Sequence, residues 1–255
     1  MLSTDDLREF LDEKASLYNN PRFIESDPVQ IPHIFSLKED IEIAGFLTAT
    51  ISWGKRVSII KSAHRLMGLL GSAPYDFVMS HNEVQLERLE DFVYRTFNST
   101  DLRFFIRALR FIYQEYGGLE GVFNKWQSTD SLQPAIHELK QLFFSTPHPD
   151  RTRKHLSDPG TGSAAKRINM YLRWMVRSDN RGVDFGIWKQ IPSSSLSCPL
   201  DVHTGNVARK LGLIARKQND AKAVLQLDKQ LRILDPEDPV KYDFALFGLG
   251  VFEKF

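Results

Sequence analysis

The sequence predicts an all-α protein, on three observations. Apolar residues recur at three and four positions along most of the chain. No stretch alternates with the period of two that a half-buried strand needs. Breaks rich in Pro and Gly cut the pattern into helix-length pieces. Counting those pieces gives roughly ten helices.

Taken in order, the first piece, MLSTDDLREFLDEKASLY, mixes acids and bases on an amphipathic helix. It has no basic segment leading into an apolar core, so it does not read as a signal peptide. Pro21 to Pro32 is a break, after which Ile43, Phe46, Leu47, Thr50 and Ile51 share one helical face. The region from Ile41 to Leu70 is apolar but carries Lys55, Arg56, Lys61, His64 and Arg65, which excludes a membrane span there. Gly71 to Pro74 breaks the pattern again. Leu102, Phe105, Ile106, Leu109, Ile112 and Tyr113 mark the next strong helix, stopped by Gly117-Gly118. Pro147 to Pro149 and Pro159 to Gly162 precede a helix from Lys166, whose apolar side is Ala165, Ile168, Leu172 and Met175. After a long break from Gly182 to Pro199, Val202, Val207, Ala208, Leu211 and Leu213 resume helical spacing, and Pro236 to Pro239 opens the last piece. No repeat of solenoid period and no low-complexity tract occurs.

Composition limits the function classes. The 255 residues include 33 Lys plus Arg against 32 Asp plus Glu, a net charge of +1, with 42% hydrophobic residues. That is a globular chain of one large or two small domains, not a disordered or polycationic one. Cys198 is the only cysteine, which excludes an internal disulfide, a four-cysteine zinc site and a cysteine-ligated iron–sulfur cluster, and suits a reducing, cytoplasmic compartment. The seven histidines never pair at metal-ligand spacing; His33, His81 and His137 read as surface or capped residues. No Walker loop, GxGxxG or GxSxG is present. Asp235-Pro236-Glu237-Asp238-Pro239 reads as a loop and helix start, where acids suit the dipole. Neither a metal nor a cofactor is expected.

Two segments carry chemistry. From Arg151 to Arg177 there are seven bases, Arg151, Arg153, Lys154, Lys166, Arg167, Arg173 and Arg177, against the single acid Asp158. Such a strip is ordinarily a solvated face. Here Lys166, Arg173 and Arg177 are spaced to share one helix side, behind a Leu156 to Ser163 turn whose glycines allow close backbone approach to a phosphate. The second segment is Cys198 to Leu213. Asp201 stands at an N-cap position, which by itself is a structural role, but His203, Thr204 and Arg209 follow on the same helix start.

Together these segments resemble the helix-hairpin-helix DNA glycosylase superfamily, which contains endonuclease III and the 8-oxoguanine glycosylases. Pro199-Leu200-Asp201-Val202-His203 is similar to the catalytic-aspartate motif of the eukaryotic-type 8-oxoguanine enzymes. Lys166-Arg167-Ile168-Asn169-Met170-Tyr171, a long connection and then Asp201 are more similar to the archaeal GO glycosylase branch. The chain also resembles a mainly bacterial family of uncharacterised proteins through YLRWMVR, VDFGIWK and DPVKYDFALFGLG. Agreement is concentrated between Leu156 and Leu249, and is weaker from Ile41 to Met67.

The resemblance implies two helical lobes with a substrate cleft between them. Residues 41–171 would form one lobe, with the hairpin at 156–166; residues 1–40 plus 172–255 would form the other, and Lys166 would face Asp201 across the cleft. It implies Lys166 and Asp201 as catalytic residues, Asp243, Phe247 and Trp53 as base-recognition residues, and Gly160, Gly162, Ser163, Arg167, Arg173, Arg177 and His203 as DNA contacts. The hairpin departs from the common pattern, in which the lysine follows the second glycine almost directly. That register puts Ala164 at the lysine position, whereas the archaeal-type motif puts Lys166 there; with the first register the protein would be monofunctional or a binder without activity. Trp174 and Trp188 are further aromatic candidates, although large aromatics on an apolar face are mostly core.

The implied chemistry is physically coherent. Breaking an N-glycosidic bond builds positive charge on the sugar, which a held carboxylate stabilises, and an amine can attack C1′ to form a Schiff base. Expected, then, is a monomeric DNA glycosylase with AP lyase activity, directed at damaged duplex or single-stranded DNA and an oxidised purine in particular. The alternatives are a non-catalytic nucleic-acid-binding protein that keeps the fold and a helical scaffold.

Overall fold

The computed structural model describes residues 3–128 and 130–255. Thirteen α-helices dominate these described residues, so the all-α expectation holds at the level of class. They are α1 (Thr4–Tyr18), α2 (Arg22–Ser26), α3 (Lys38–Thr50), α4 (Arg56–Leu69), α5 (Pro74–Ser80), α6 (Glu83–Glu87), α7 (Ser99–Tyr116), α8 (Leu119–Trp126), α9 (Gln133–Phe143), α10 (Lys166–Val176), α11 (Val202–Lys210), α12 (Ala221–Leu234) and α13 (Tyr242–Val251). The count exceeds ten because short helices such as α2 and α6 carry too few turns to show a period. One antiparallel hairpin, β1 (Val93–Tyr94) with β2 (Phe97–Asn98), also escaped the sequence reading, since two residues per strand cannot display alternation. None of the described helices is long and apolar enough to cross a membrane.

Local chemistry sets the helix ends. Ser3 with Asp6, Asn82 with Gln85 and Asn98 with Asp101 form reciprocal capping boxes at α1, α6 and α7. Helix α7 stops at Gly117, which takes the left-handed conformation that releases the chain from the helix.

Two compact units result. The first comprises residues 1–23, 127–137 and 157–255. Its core joins Leu11 and Ala15 of α1, Val207 and Ala208 of α11, Val224, Leu227 and Leu231 of α12, and Ala245, Leu246 and Leu249 of α13. Helix α1 packs most extensively on α13, which also receives α11. The second unit comprises residues 24–126 and 138–156. Its centre is a cluster of phenylalanine rings: Phe105 of α7 lies 4.8 Å from Phe143, 5.3 Å from Phe97 and 6.1 Å from Phe46. Both clusters are stabilised chiefly by removal of apolar surface from water.

These boundaries differ from 41–171 against 1–40 plus 172–255. Residues 24–40 group with the second unit and residues 157–171 with the first. A boundary at 171 would divide α10, whose apolar face, Ile168, Leu172 and Met175, is buried along its whole length. Lys166 and Asp201 therefore belong to the same unit.

Candidate active site

The turn before α10 is held by side chains. Asp158, nearly fully buried, accepts from the Gly160 amide at 2.8 Å and lies 2.9 Å from His137 Nδ1. Gly162 has φ +91°, and its carbonyl accepts from the Ala221 amide at 3.0 Å, which ties the turn to the start of α12. Ala165, the residue before α10, is left-handed with φ 45° and ψ 36°. For an alanine this conformation costs roughly 1–2 kcal/mol. The Ser163 hydroxyl accepting from the Ala165 amide at 3.1 Å, and Asn169 donating to the Ala164 carbonyl at 3.0 Å, hold it there. This left-handed residue sets the entry into α10, whose first residue is Lys166.

Lys166 is half-buried and its Nζ rests 3.5 Å from Met170 Sδ, one turn along the helix. Among the described residues no carboxylate pairs with it directly. Asp201 is the N-cap of α11: Oδ1 accepts from the Thr204 amide at 2.9 Å, while its carbonyl accepts from Asn219 Nδ2 at 2.8 Å. Among the described residues the second carboxylate oxygen has no hydrogen-bond donor.

Asp243 of α13 links the two. Only 5% exposed, it pairs with Arg173 Nη1 and lies 3.8 Å from Cys198 Sγ. Burial pushes its carboxyl up to about 6, with Asp201 raising it further and Arg173 and Lys166 pulling it down. Only charges close by in a poorly screened interior act in this way. Lys166 and Arg173 of α10, Asp243 of α13 and the α11 N-cap Asp201, from two helices and an N-cap, thus form one electrostatic cluster within the first unit.

Arg173 and Arg177 correct an expectation. Both were placed on a basic face open to phosphates, yet each is 3% exposed. Arg173 Nε donates to Asp184 at 3.1 Å, and its guanidinium lies 4.3 Å over the Phe244 ring. Arg177 binds Asp238 through Nε and Nη2, Asp179 at 2.7 Å and Asp184 at 3.1 Å, and these acids hold its protonation above the ordinary arginine value despite burial. These two arginines of the basic strip are neutralised by carboxylates from outside it. Asp184 was the residue missed; the only local signal was an acid in the break directly after the basic helix. Asp243 is likewise engaged by Arg173, so its carboxylate is not open for the base contacts that the resemblance implied.

A family model described as a protein of unknown function, DUF2400, matches residues 27–252. The chain belongs to the DUF2400 family. No curated protein and no solved structure matches it. The matched span holds the whole cluster of this DUF2400 chain, from Lys166 to Asp243, and leaves α1 outside.

The remaining expected residues of the DUF2400 chain are dispersed. Gly160 and Gly162 are exposed at the turn, and a side chain at Gly160 would meet His137 Nδ1 at 2.6 Å. Ser163 is half-buried with its hydroxyl engaged locally. Arg167 is half-exposed, and desolvation lowers its guanidinium to about 10. His203 is exposed on the first turn of α11 beside Val202, which is 65% exposed. Phe247 is half-buried against Phe23 at 6.1 Å and Phe252 at 6.4 Å. Trp53 lies in the second unit, edge-on to Tyr94 at 5.3 Å and stacked on His155 at 6.1 Å. Trp174 and Trp188 are core residues. Among the described residues no group of three or more His, Cys, Asp or Glu could hold a metal ion.

Proposed function

We propose that this chain is a DNA base-excision glycosylase of the helix-hairpin-helix fold with associated AP lyase activity, removing a damaged base, an oxidised purine first among them. One observation carries the reading: the amine of Lys166 rests on a thioether rather than a carboxylate, and its charge and that of Asp201 act on the same buried Asp243.

In this reading the target nucleotide leaves the duplex, because the reacting bond is inaccessible in the stack. Lys166 gives up its ammonium proton to solvent, and the freed amine attacks C1′. A new C–N bond forms as the glycosidic C1′–N bond breaks, and the base departs with the bonding pair and takes a proton. The oxygen of Asp201 not engaged with the Thr204 amide faces the positive charge that develops on the sugar. Loss of the amine proton and opening of the ring give a Schiff base. Removal of a C2′ proton then expels the 3′ phosphate, which cuts the strand. Asp243 and Arg173 act as positioning residues for Lys166, while Phe247, in the same unit, is the aromatic surface for a flipped base. His203 and Arg167 supply phosphate contacts, the Gly160 and Gly162 amides being engaged by Asp158 and Pro159 within the turn.

A second reading, a nucleic-acid binder without catalysis, is favoured by the fact that Asp201 already has a complete structural role as an N-cap. Borohydride separates the two. An oligonucleotide with a single 8-oxoguanine or an abasic site is expected to be trapped covalently by the parental protein and not by Lys166→Gln. Binding without any trapped adduct supports the second reading and overturns the first.

A further inference from the structure

The first half of α7 presents Thr100, Arg103, Phe104 and Arg107, spaced at three and four along the helix, to one cavity of about 520 Å³. The opposite wall is Thr146, Pro147 and Pro149. That wall is braced. His148 Nδ1 meets the Thr146 carbonyl at 2.7 Å, and its Nε2 accepts from Arg153 at 3.1 Å. The ring of His148 lies 5.6 Å from Phe104 and 5.0 Å from Phe144, and Phe104 stacks on Phe144 at 5.2 Å. The two prolines fix their own φ, so this loop keeps its shape without a ligand.

Arg103 and Arg107 line the cavity, and none of its described lining residues is an acid. Arg103 uses Nε and Nη2 on the carbonyls of Leu86 and Glu87, at 3.0 and 3.4 Å, which leaves Nη1 without a partner among the described residues. Arg107 pairs with Glu83 at 2.5 Å, with the two side chains 49% and 75% exposed. A pair that open to water is weak and screened, so a better acceptor can replace the carboxylate.

We infer that this cavity is a binding site for a phosphate-bearing ligand. Arg103 and Arg107 would hold the phosphate oxygens, the Thr100 and Thr146 hydroxyls would donate to them, and the Phe104 and proline surfaces would take an attached sugar or base. Guanidiniums fit phosphate oxygens in shape and charge, and the cavity is in the size range of small-ligand sites. The site lies wholly in the second unit, goes beyond the glycosylase chemistry and does not depend on Lys166 or Asp201. The phosphate could belong to a nucleic-acid strand or to a free nucleotide.

The test uses the full chain with a fluorescein-labelled single-stranded 12-mer, its duplex and labelled ADP, each titrated by anisotropy across a salt series. Arg107→Glu is the main variant, because Arg103 also ties α7 to Leu86 and Glu87; Thr146→Val is the second. Arg107→Glu is expected to weaken at least one probe about tenfold and, for a strand, to reduce the logarithmic salt slope by about one. Thr146→Val is expected to weaken the same probe about threefold. Loss confined to the oligonucleotides identifies a strand as the source, and loss confined to ADP identifies a free nucleotide. Parental affinity for all three probes in both variants, or no binding of any probe to the parental protein, overturns the site. Because trapping is read separately, a protein that binds through Arg107 but forms no adduct removes the glycosylase reading and leaves this one standing.

Discussion

Arg173 on α10 and Asp243 on α13, seventy positions apart in the chain, form a buried ion pair. The pair sits beside the residue with which α10 begins, Lys166, whose charge lowers the carboxyl of Asp243.

Breaking that network is expected to cost folding stability rather than DNA affinity. Arg173→Ala leaves Asp243 buried without its cation and Asp184 with Arg177 alone, a change worth about 3–5 kcal/mol, while Arg177→Ala, whose partners Asp179 and Asp238 are partly exposed, costs less. Urea unfolding measures it. If either variant unfolds at the parental midpoint while the salt slope for DNA flattens, the arginines act on phosphate and the structural assignment is lost.

Lys166→Gln keeps length and polarity but removes the amine. Trapping by borohydride and strand cleavage are expected to disappear while affinity for the lesion stays within about threefold, since phosphate contacts dominate binding. A variant that still forms the adduct would move the nucleophile elsewhere.

For Asp201, two substitutions separate chemistry from capping. Asp201→Asn keeps the acceptor for the Thr204 amide, so stability is expected to change little while excision falls by about 10²–10³. Asp201→Ala loses both, and melts earlier by the equivalent of about 1 kcal/mol. Full excision by Asp201→Asn would leave this residue as a cap alone.

Ala165→Gly removes the left-handed strain before α10. The variant is expected to be more stable than the parent, by up to about 1 kcal/mol after the added freedom of the unfolded glycine is counted. Trapping by Lys166 is expected to slow as its support loosens. Lower stability than the parent would show that the Ala165 methyl contributes more through packing than its backbone costs.

The pH dependence of stability has a defined sign at Asp228. This carboxylate of α12 is buried, accepts from the Cys198 amide at 2.9 Å, and is pushed by desolvation from the ordinary aspartate range up to about 6. The folded state therefore holds its proton more tightly than the unfolded chain does. Its contribution is complete below about pH 4 and is lost as pH rises through about 6. Asp228→Asn is expected to flatten the fall in Tm between those values; an unchanged slope would assign the fall to other groups.

Much of the local structure was legible in the sequence. The helices reporting through repeated apolar spacing, α3, α7 and α10, lie where that spacing put them, and Asp201 caps α11 as its position after Pro199 suggested. Lys166 and Asp201 could be singled out because each belongs to a short contiguous motif. Trp53, chosen as an aromatic without such a motif, lies in the other unit from Phe247, which belongs to the phrase DPVKYDFALFGLG.

The sequence by itself determined helix class, helix ends and the identity of the chemically able side chains. These depend on residues within about one or two turns of each other. The tertiary structure alone decided which charges are available. Spacing placed Lys166, Arg173 and Arg177 on one helical side. Folding then brought Asp184, Asp238 and Asp243 against the two arginines, and put the Met170 sulfur against the lysine amine. The reason is the range of the forces. Hydrophobic period and capping are local, whereas the fate of a charge depends on the dielectric and the partners around it, which distant parts of the chain supply only after the core has closed.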